Sequence, residues 1–269
     1  MRPPRYKKQV LICAAASLFV GSVLPATLAA APALGATSTV PAPRKPSPVK
    51  KANTAVASKT ASPTTVATKA ALDALLPSVR QLSNPKALES AFHAYYAFKA
   101  ENPSAVKKPY LYFVDYGLSN TTPRGYVFDM NSLKVVEGPF TVAAGSGSGG
   151  PIPTRFSNAG GSKATSLGLY VTGATYGFSG HSGGRAYSSI GLRLMGRSQG
   201  YNDRALARGV VAHGAPYVTA SRAGRSQGCP AMEPARAQRL LPKLANGSVV
   251  FLFGQDRGWM ANDQWVNAD

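Results

Sequence analysis

The sequence predicts a mostly β fold, a sandwich or barrel with a few short helices, preceded by an N-terminal helix. Three observations carry that reading. Eight short apolar or alternating runs follow Pro109, they are separated by Gly, Ser, Pro and Asn, and only the stretch ahead of them shows sustained helical period. Many short strands at turn-punctuated spacing form sandwiches or barrels rather than parallel α/β sheets.

The elements follow in order. Residues 1–36 open with Arg2, Arg5, Lys7 and Lys8, continue through an apolar run from Val10 to Leu24, and end in small residues. That pattern is a secretory signal peptide, cleaved between Ala29 and Ala36; the alternative is an uncleaved anchor, since Val10 to Ala31 nearly spans a bilayer. Cys13 follows Ile12 rather than a small residue, which argues against a lipid attachment site. Residues 37–70 contain no aromatic and no acidic residue and are dominated by Pro, Ala, Ser, Thr and Lys. Such a segment cannot bury enough apolar surface to offset its ordering entropy and reads as a disordered basic tether. Residues 71–109 form a helical segment and 110–269 the β domain.

The whole chain carries a formal charge of +19. Residues 1–70 hold 10 of its 30 Lys and Arg and none of its 11 acids, leaving +9 on the remainder. Basic surfaces suit nucleic acid, anionic membranes or carboxylate-bearing polymers. Export excludes nucleic acid and leaves association of the tether with anionic lipid or wall carboxylates.

Ser83-Asn84-Pro85 and the following KALESAFHAYYAFKA read as a helix capped by Asn84 or Ser83, with Leu88, Phe92, Tyr95 and Phe98 on one apolar face. His93 on this helix is a surface or boundary residue. The strand runs are 110–116, 125–130, 133–137, 140–145, 167–172, 190–195, 209–214 and 248–253. Two Gly/Ser-rich stretches, GSGSGGPIPTRFSNAGGSKATS and TGATYGFSGHSGGRAYSS, read as surface loops over a binding face. EPARAQRLLPKL reads as a short helix started by Pro234 and kinked or ended by Pro242.

With the signal removed, Cys229 is the sole cysteine and has no disulfide partner within the chain. A lone thiol in an oxidising compartment is either buried and inert or kept for its chemistry. The sequence VVAHGAPYV puts His213 at the end of a strand, 16 residues before Cys229. A Cys nucleophile needs a neighbour that takes its proton, and pairing with imidazolium lowers the thiol pKa. Gly228 allows close approach of substrate and lets loop N–H groups face an oxyanion. Arg222 and Arg225 lie near enough in sequence to hold a substrate carboxylate. Metal binding by His181, His213 and Cys229 fits no zinc spacing, so no metal and no cofactor is expected.

At these residues the chain resembles the L,D-transpeptidases, the YkuD-like enzymes that cross-link bacterial peptidoglycan, and more closely their murein L,D-transpeptidase catalytic domain branch. The resemblance rests on GRSQGCPA and AHGA, with FSN (156–158), SLGLY (166–170), LRLMG (192–196) and YNDRALARGVVAHGAPYV (201–218) in support. It covers about residues 110–254 and implies a YkuD-like β-sandwich or barrel. Cys229 would be the nucleophile, His213 its base, and the Gly214 carbonyl the group that orients the ring. Backbone N–H groups of Gly228, Cys229 and Gln227 would form the oxyanion hole. Arg225, Ser226, Tyr217 and Arg222 would contact substrate, and the GHSGGRAYSS insert with His181 and Arg185 would cap the cleft. Two departures, Gln227 where relatives carry His or an aromatic and Ala231 where they often carry Arg, bear on acceptor recognition. The implied activity is attack on the diaminopimelate–D-Ala bond of a tetrapeptide stem, followed by transfer to an amine of another stem as a 3–3 or 1–3 cross-link. An L,D-carboxypeptidase, another wall Cys peptidase and a catalytically silent wall-binding module are the alternatives.

Overall fold

The computed structural model describes residues 61–268. The expected signal peptide or anchor, and the tether up to residue 60, lie outside these residues. Among the described residues, no helix is long and apolar enough to cross a membrane.

The first helix, α1 (Pro63–Leu75), begins inside the span read as tether. Ser62 caps it by accepting from the Thr65 N–H at 3.2 Å, and Pro63 occupies the first turn. Thr68, Ala71 and Leu75 are its buried stripe. The expectation failed for 63–70 because three small or apolar residues at helical spacing suffice once a second helix supplies the other surface, whatever the average composition. That second helix is α2 (Lys86–Glu101). Its predicted face of Leu88, Phe92, Tyr95 and Phe98 is buried, while Ser83, one expected cap, instead donates to Asp115 Oδ1 at 2.6 Å. His93 is half-buried, with Nε2 2.7 Å from the Ala268 carbonyl.

The strands are β1 (Tyr110–Asp115), β2 (Gly125–Asp129), β3 (Lys134–Phe140), β4 (Ala144–Gly145), β5 (Gly168–Ser182), β6 (Arg185–Gly196), β7 (Val211–Gly214), β8 (Arg225–Ser226), β9 (Ala231–Met232) and β10 (Val249–Phe253). Helix α3 (Pro234–Leu244) precedes β10 and α4 (Arg257–Asn262) follows it. Among the described residues, eight strands form one sheet in the order β3-β2-β1-β10-β5-β6-β7-β9, and β4 and β8 form a second, parallel pair. The fold is therefore mostly β, with a large sheet and a few short helices.

Strand period 2 sorts the sheet residues into two cores. Leu111, Phe113, Val249, Phe251 and Phe253 join Phe92, Phe98, Trp259 and Trp265 on the α2 face. Tyr112, Val114, Val250 and Leu252 join Leu240, Leu241 and Leu244 of α3 on the other. Central β10 is buried along its whole length. Each such fully buried large side chain stabilises by about 1.5–3 kcal/mol. The rigid centre positions β7 and β9 at the sheet's far edge, where the candidate site lies.

Candidate active site

His213 sits on β7 between β6 and β9, paired with Gly191 on one side and Ala231 on the other. The β7–β9 pairing is parallel, and the His213 N–H donates to the Pro230 carbonyl at 3.3 Å. Extending the register two residues back sets Cys229 beside Val211, whose backbone lowers the thiol pKa against the larger effect of burial. The 16-residue excursion between the two thus returns the cysteine to the histidine's own strand neighbour. The His213 ring is buried, and its Nδ1 lies 3.1 Å from the Gly214 carbonyl. A carbonyl only accepts, so this contact places the proton on Nδ1 and leaves Nε2 as the basic nitrogen.

The cysteine loop is held from within. Buried Ser226 donates its hydroxyl to the Cys229 carbonyl at 2.6 Å and accepts the Gly228 N–H at 3.1 Å. Both hydrogen-bonding functions of Ser226 are used inside the loop, which corrects its expected role as a substrate contact. The Gly228 N–H is likewise committed, which removes it from the expected oxyanion hole. Among the described residues, the N–H groups of Gln227 and Cys229 donate to no protein acceptor. Gly228 itself has φ +124°, and a Cβ there would lie 3.0 Å from the Ala164 carbonyl oxygen. Gly145 permits the opposing approach: a Cβ on it would lie 2.8 Å from the Gly228 Cα.

Burial dominates the electrostatics. It pushes the Cys229 thiol above its ordinary 9.0, against smaller opposing effects from the Val211 backbone hydrogen bond and the Arg208 charge. It pushes His213 below its ordinary 6.5, against the Gly214 hydrogen bond. The expectation of a thiol pKa lowered by a neighbouring imidazolium is therefore reversed. Both groups are therefore neutral at rest, Cys229 as the thiol and His213 as the imidazole, because either charged form would be desolvated.

The second stretch read as a polar loop is a β-hairpin. Strands β5 and β6 pair as far as Ser182 and Arg185, joined by Gly183 and Gly184 with φ +56° and +77°. Two successive positive φ values are the requirement of a tight two-residue hairpin turn. Its glycine and serine content disguised the alternation. Tyr176 and Phe178 on β5 share one face with Tyr187 on β6. Phe178 stacks on His213 with ring centroids 4.2 Å apart and planes inclined by 22°. Tyr187 meets Tyr217 edge to face at 6.4 Å. Burial is the largest cause that raises the phenol pKa of Tyr116, Tyr176, Tyr187 and Tyr217, with the charge of Cys229 a smaller one in each.

The other expected residues divide. Tyr217 is in this group. Arg225 is half-buried and donates to the Gly149 carbonyl, bracing the 146–150 turn. Arg222 is exposed on the turn beyond Thr219. His181 and Arg185 are exposed at the hairpin tip. At about 3.3 Å per residue, His181 is about 10 Å along the strand from Phe178, and its odd position faces the opposite side of the hairpin. His181, His213 and Cys229 are thus not gathered, and among the described residues no group of three or more His, Cys, Asp and Glu side chains could hold a metal ion.

Sequence reasoning missed Phe178, Tyr176, Arg208 and Arg124. Alternation in TYGFSG was a readable signal for the first two. Arg124 is buried, donates to the Val142 and Leu118 carbonyls and stacks on Tyr116 at 4.8 Å; burial lowers its pKa to about 10. Tyr116 in turn donates to the Ala143 carbonyl at 3.0 Å, and Ala143 bridges to Ala231 just beyond Cys229.

Residues 80–253 match the family model YkuD_2, described as the L,D-transpeptidase catalytic domain. Among solved structures, the chain is similar to an L,D-transpeptidase from Mycobacterium smegmatis, at 16% identity over 54% of this chain and 59% of that one, with a TM-score of 0.33. It is similar to an L,D-transpeptidase from Stackebrandtia nassauensis at 18% identity, covering 64% of this chain and 69% of that one, with a TM-score of 0.36. It is similar to L,D-transpeptidase 3 from Mycobacterium tuberculosis at 14% identity, 54% and 61% coverage and a TM-score of 0.30. The chain thus spans about three fifths of the length of the M. smegmatis protein. No curated protein matches it.

Proposed function

The chain belongs to the L,D-transpeptidase catalytic domain family, and from that membership we propose that it is an exported peptidoglycan L,D-transpeptidase with Cys229 as nucleophile and His213 as base. One observation carries the assignment: adjacent parallel strands bring the cysteine loop back to the histidine strand, while the Gly214 carbonyl leaves Nε2 free to accept a proton.

The chemistry follows from the neutral resting pair. Nε2 of His213 takes the thiol proton as Sγ attacks the carbonyl at the L-centre of diaminopimelate in stem position 3. The developing oxyanion is met by the N–H groups of Cys229 and Gln227. Collapse breaks the C–N bond, and the imidazolium returns its proton to the departing D-Ala amine. The resulting thioester is attacked by an amine of a second stem, which loses a proton to His213 and releases the thiol. The side-chain amine of another diaminopimelate gives a 3–3 link and the amine of the first stem residue a 1–3 link. Phe178, stacked on the His213 ring, shields one face of the base from water, which favours the amine over hydrolysis. The N-terminal segment would deliver the domain across the membrane, and the basic tether would hold it near anionic lipid or wall carboxylates.

Incubation of disaccharide-tetrapeptide with the protein, beside Cys229→Ala, tests the reading by mass spectrometry. A Cys229-dependent dimer lacking one D-Ala is expected, and fragmentation identifies the link. Tripeptide alone would make the enzyme an L,D-carboxypeptidase, and full activity in Cys229→Ala would overturn the assignment.

A further inference from the structure

Arg124 is the one Lys or Arg among the described residues that is fully buried, at 1% exposure. Among these residues, no carboxylate oxygen lies within 4.0 Å of it. Its backbone neighbour Asp115 accepts instead from Ser83 and from the Gly117 N–H. A guanidinium stays charged in a protein, and burying a charge with no counter-ion is costly. What the fork supplies in return is geometry. Nε and Nη2 both donate to the Val142 carbonyl, at 3.0 and 2.8 Å, and Nη1 donates to the Leu118 carbonyl at 2.6 Å. Among the described residues, neither carbonyl accepts any other hydrogen bond. The guanidinium rests over the Tyr116 ring, 4.8 Å from its centroid.

The two carbonyls belong to the two supports of the cysteine loop. Two residues beyond Leu118, Asn120 donates from Nδ2 to the Ala223 carbonyl at 2.6 Å, and its own carbonyl accepts the Ala223 N–H at 2.8 Å. This holds the chain just before the loop. One residue beyond Val142, the Ala143 N–H donates to the Ala231 carbonyl at 2.8 Å, and the Ala143 carbonyl accepts from the Tyr116 hydroxyl at 3.0 Å. Ala144 and Gly145 then pair with Arg225 and Ser226 inside the loop. Ala231 is also the β9 residue paired with His213. Arg124 therefore ties together the supports that flank residues 224–230. Gly125 keeps those backbones close: a Cβ on it would lie 2.6 Å from the side chains of both Phe140 and Val142.

We propose that Arg124 is a positioning residue for thioester formation: by fixing the Leu118 and Val142 carbonyls relative to one another, it sets where residues 224–231 hold Cys229 against the His213 strand. The proposal rests on the transpeptidase reading above. Being buried, Arg124 does not meet substrate. It acts through Asn120 on Ala223 and through Ala143 on Ala231. A planar fork suits this task because its donors point in fixed directions, so two carbonyls on separate segments are held at one spacing.

Two variants test this. Arg124→Lys keeps the charge and loses the fork. Asn120→Ala cuts one support and leaves the buried charge in place, so it carries the test if Arg124→Lys does not fold. Single-turnover acylation by a tetrapeptide donor, scaled to the titrated fraction of active thiol, reads the position of Cys229. Hydrogen exchange followed by mass spectrometry on peptides covering Ala143 and Ala223, with β10 as internal reference, reads the supports. Arg124→Lys should acylate about tenfold to a hundredfold more slowly per active thiol. Its affinity for the donor, measured in a Cys229→Ala background, should stay within about twofold of the parent. Ala143 and Ala223 should exchange about tenfold faster while β10 is unchanged. Asn120→Ala should slow acylation about threefold or more, with faster exchange confined to Ala223. A parent-like rate per active thiol in either folded variant, a loss confined to donor affinity, or exchange that rises equally in β10 would overturn the positioning role. Wild-type protein that no tetrapeptide acylates removes the transpeptidase reading instead, and exchange at Ala143 and Ala223 unchanged in both variants would then overturn the hold of Arg124 on the loop by itself.

Discussion

Replacing Ser226 by Ala removes one hydroxyl and two hydrogen bonds, to the Cys229 carbonyl and from the Gly228 N–H. Each such bond contributes about 1 kcal/mol net, and leaving the buried Gly228 N–H without an acceptor adds about 1–3 kcal/mol. The Cys229 carbonyl belongs to a half-buried residue and can turn to water. The sum is about 2–4 kcal/mol. For a domain of about 200 residues, 1 kcal/mol shifts the melting temperature by about 2–4 °C, so Ser226→Ala should melt about 5–15 °C lower. The same bonds set where Sγ and the Cys229 N–H point. Loosening them should slow acylation by about tenfold to a hundredfold, since a displacement of about 1 Å at a reacting atom is enough for that. Circular dichroism melting and quenched-flow acylation by a tetrapeptide donor read the two effects, with exposed Arg222→Ala as the parent-like control. A residue that merely touched substrate would raise KM and leave the melting temperature alone. A Ser226→Ala protein melting within about 1 °C of the parent would refute the pinning role.

Two further predictions follow from the site. Because burial lowers the His213 pKa, the base is neutral down to below pH 6.5; the acid limb of kcat/KM should fall there, while alkylation of Cys229 by iodoacetamide should rise with an apparent pKa above 9.0. An acid limb above 6.5, or a thiolate plateau already at pH 7, would contradict the neutral pair. Gly228→Ala places a side chain at φ +124° and 3.0 Å from the Ala164 carbonyl oxygen; at about 1–3 kcal/mol of strain it should lower the melting temperature and slow acylation more than tenfold, and parent-like values of both would show that the loop tolerates a Cβ.

What the sequence made legible was local. Cys229 and His213 stood out because their residue types imply one chemistry, and β7 and β10 because apolar runs between turn residues leave few alternatives. The β5–β6 hairpin was hidden by glycine and serine, which signal loops on average but here serve a two-residue turn and make room for rings: a Cβ on Gly191 would lie 2.7 Å from Tyr176. Helix α1 was hidden for the opposite reason, since its stripe becomes stabilising only against α2. Ser226 was noticed but given the wrong task, because a hydroxyl beside a nucleophile reads the same whether it faces substrate or its own loop. Arg208 gave no local signal: it stands 21 residues before Cys229, and its orientation depends on acceptors from 157 to 166.

The most direct measurement of the central claim is the intact mass of the protein after mixing with a tetrapeptide donor in the absence of any acceptor amine. The account predicts an adduct equal to the donor less one D-Ala, located by digestion to the tryptic peptide Ser226–Arg236 and absent from Cys229→Ala. Release of D-Ala without a covalent adduct, or an adduct that persists in Cys229→Ala, would contradict it.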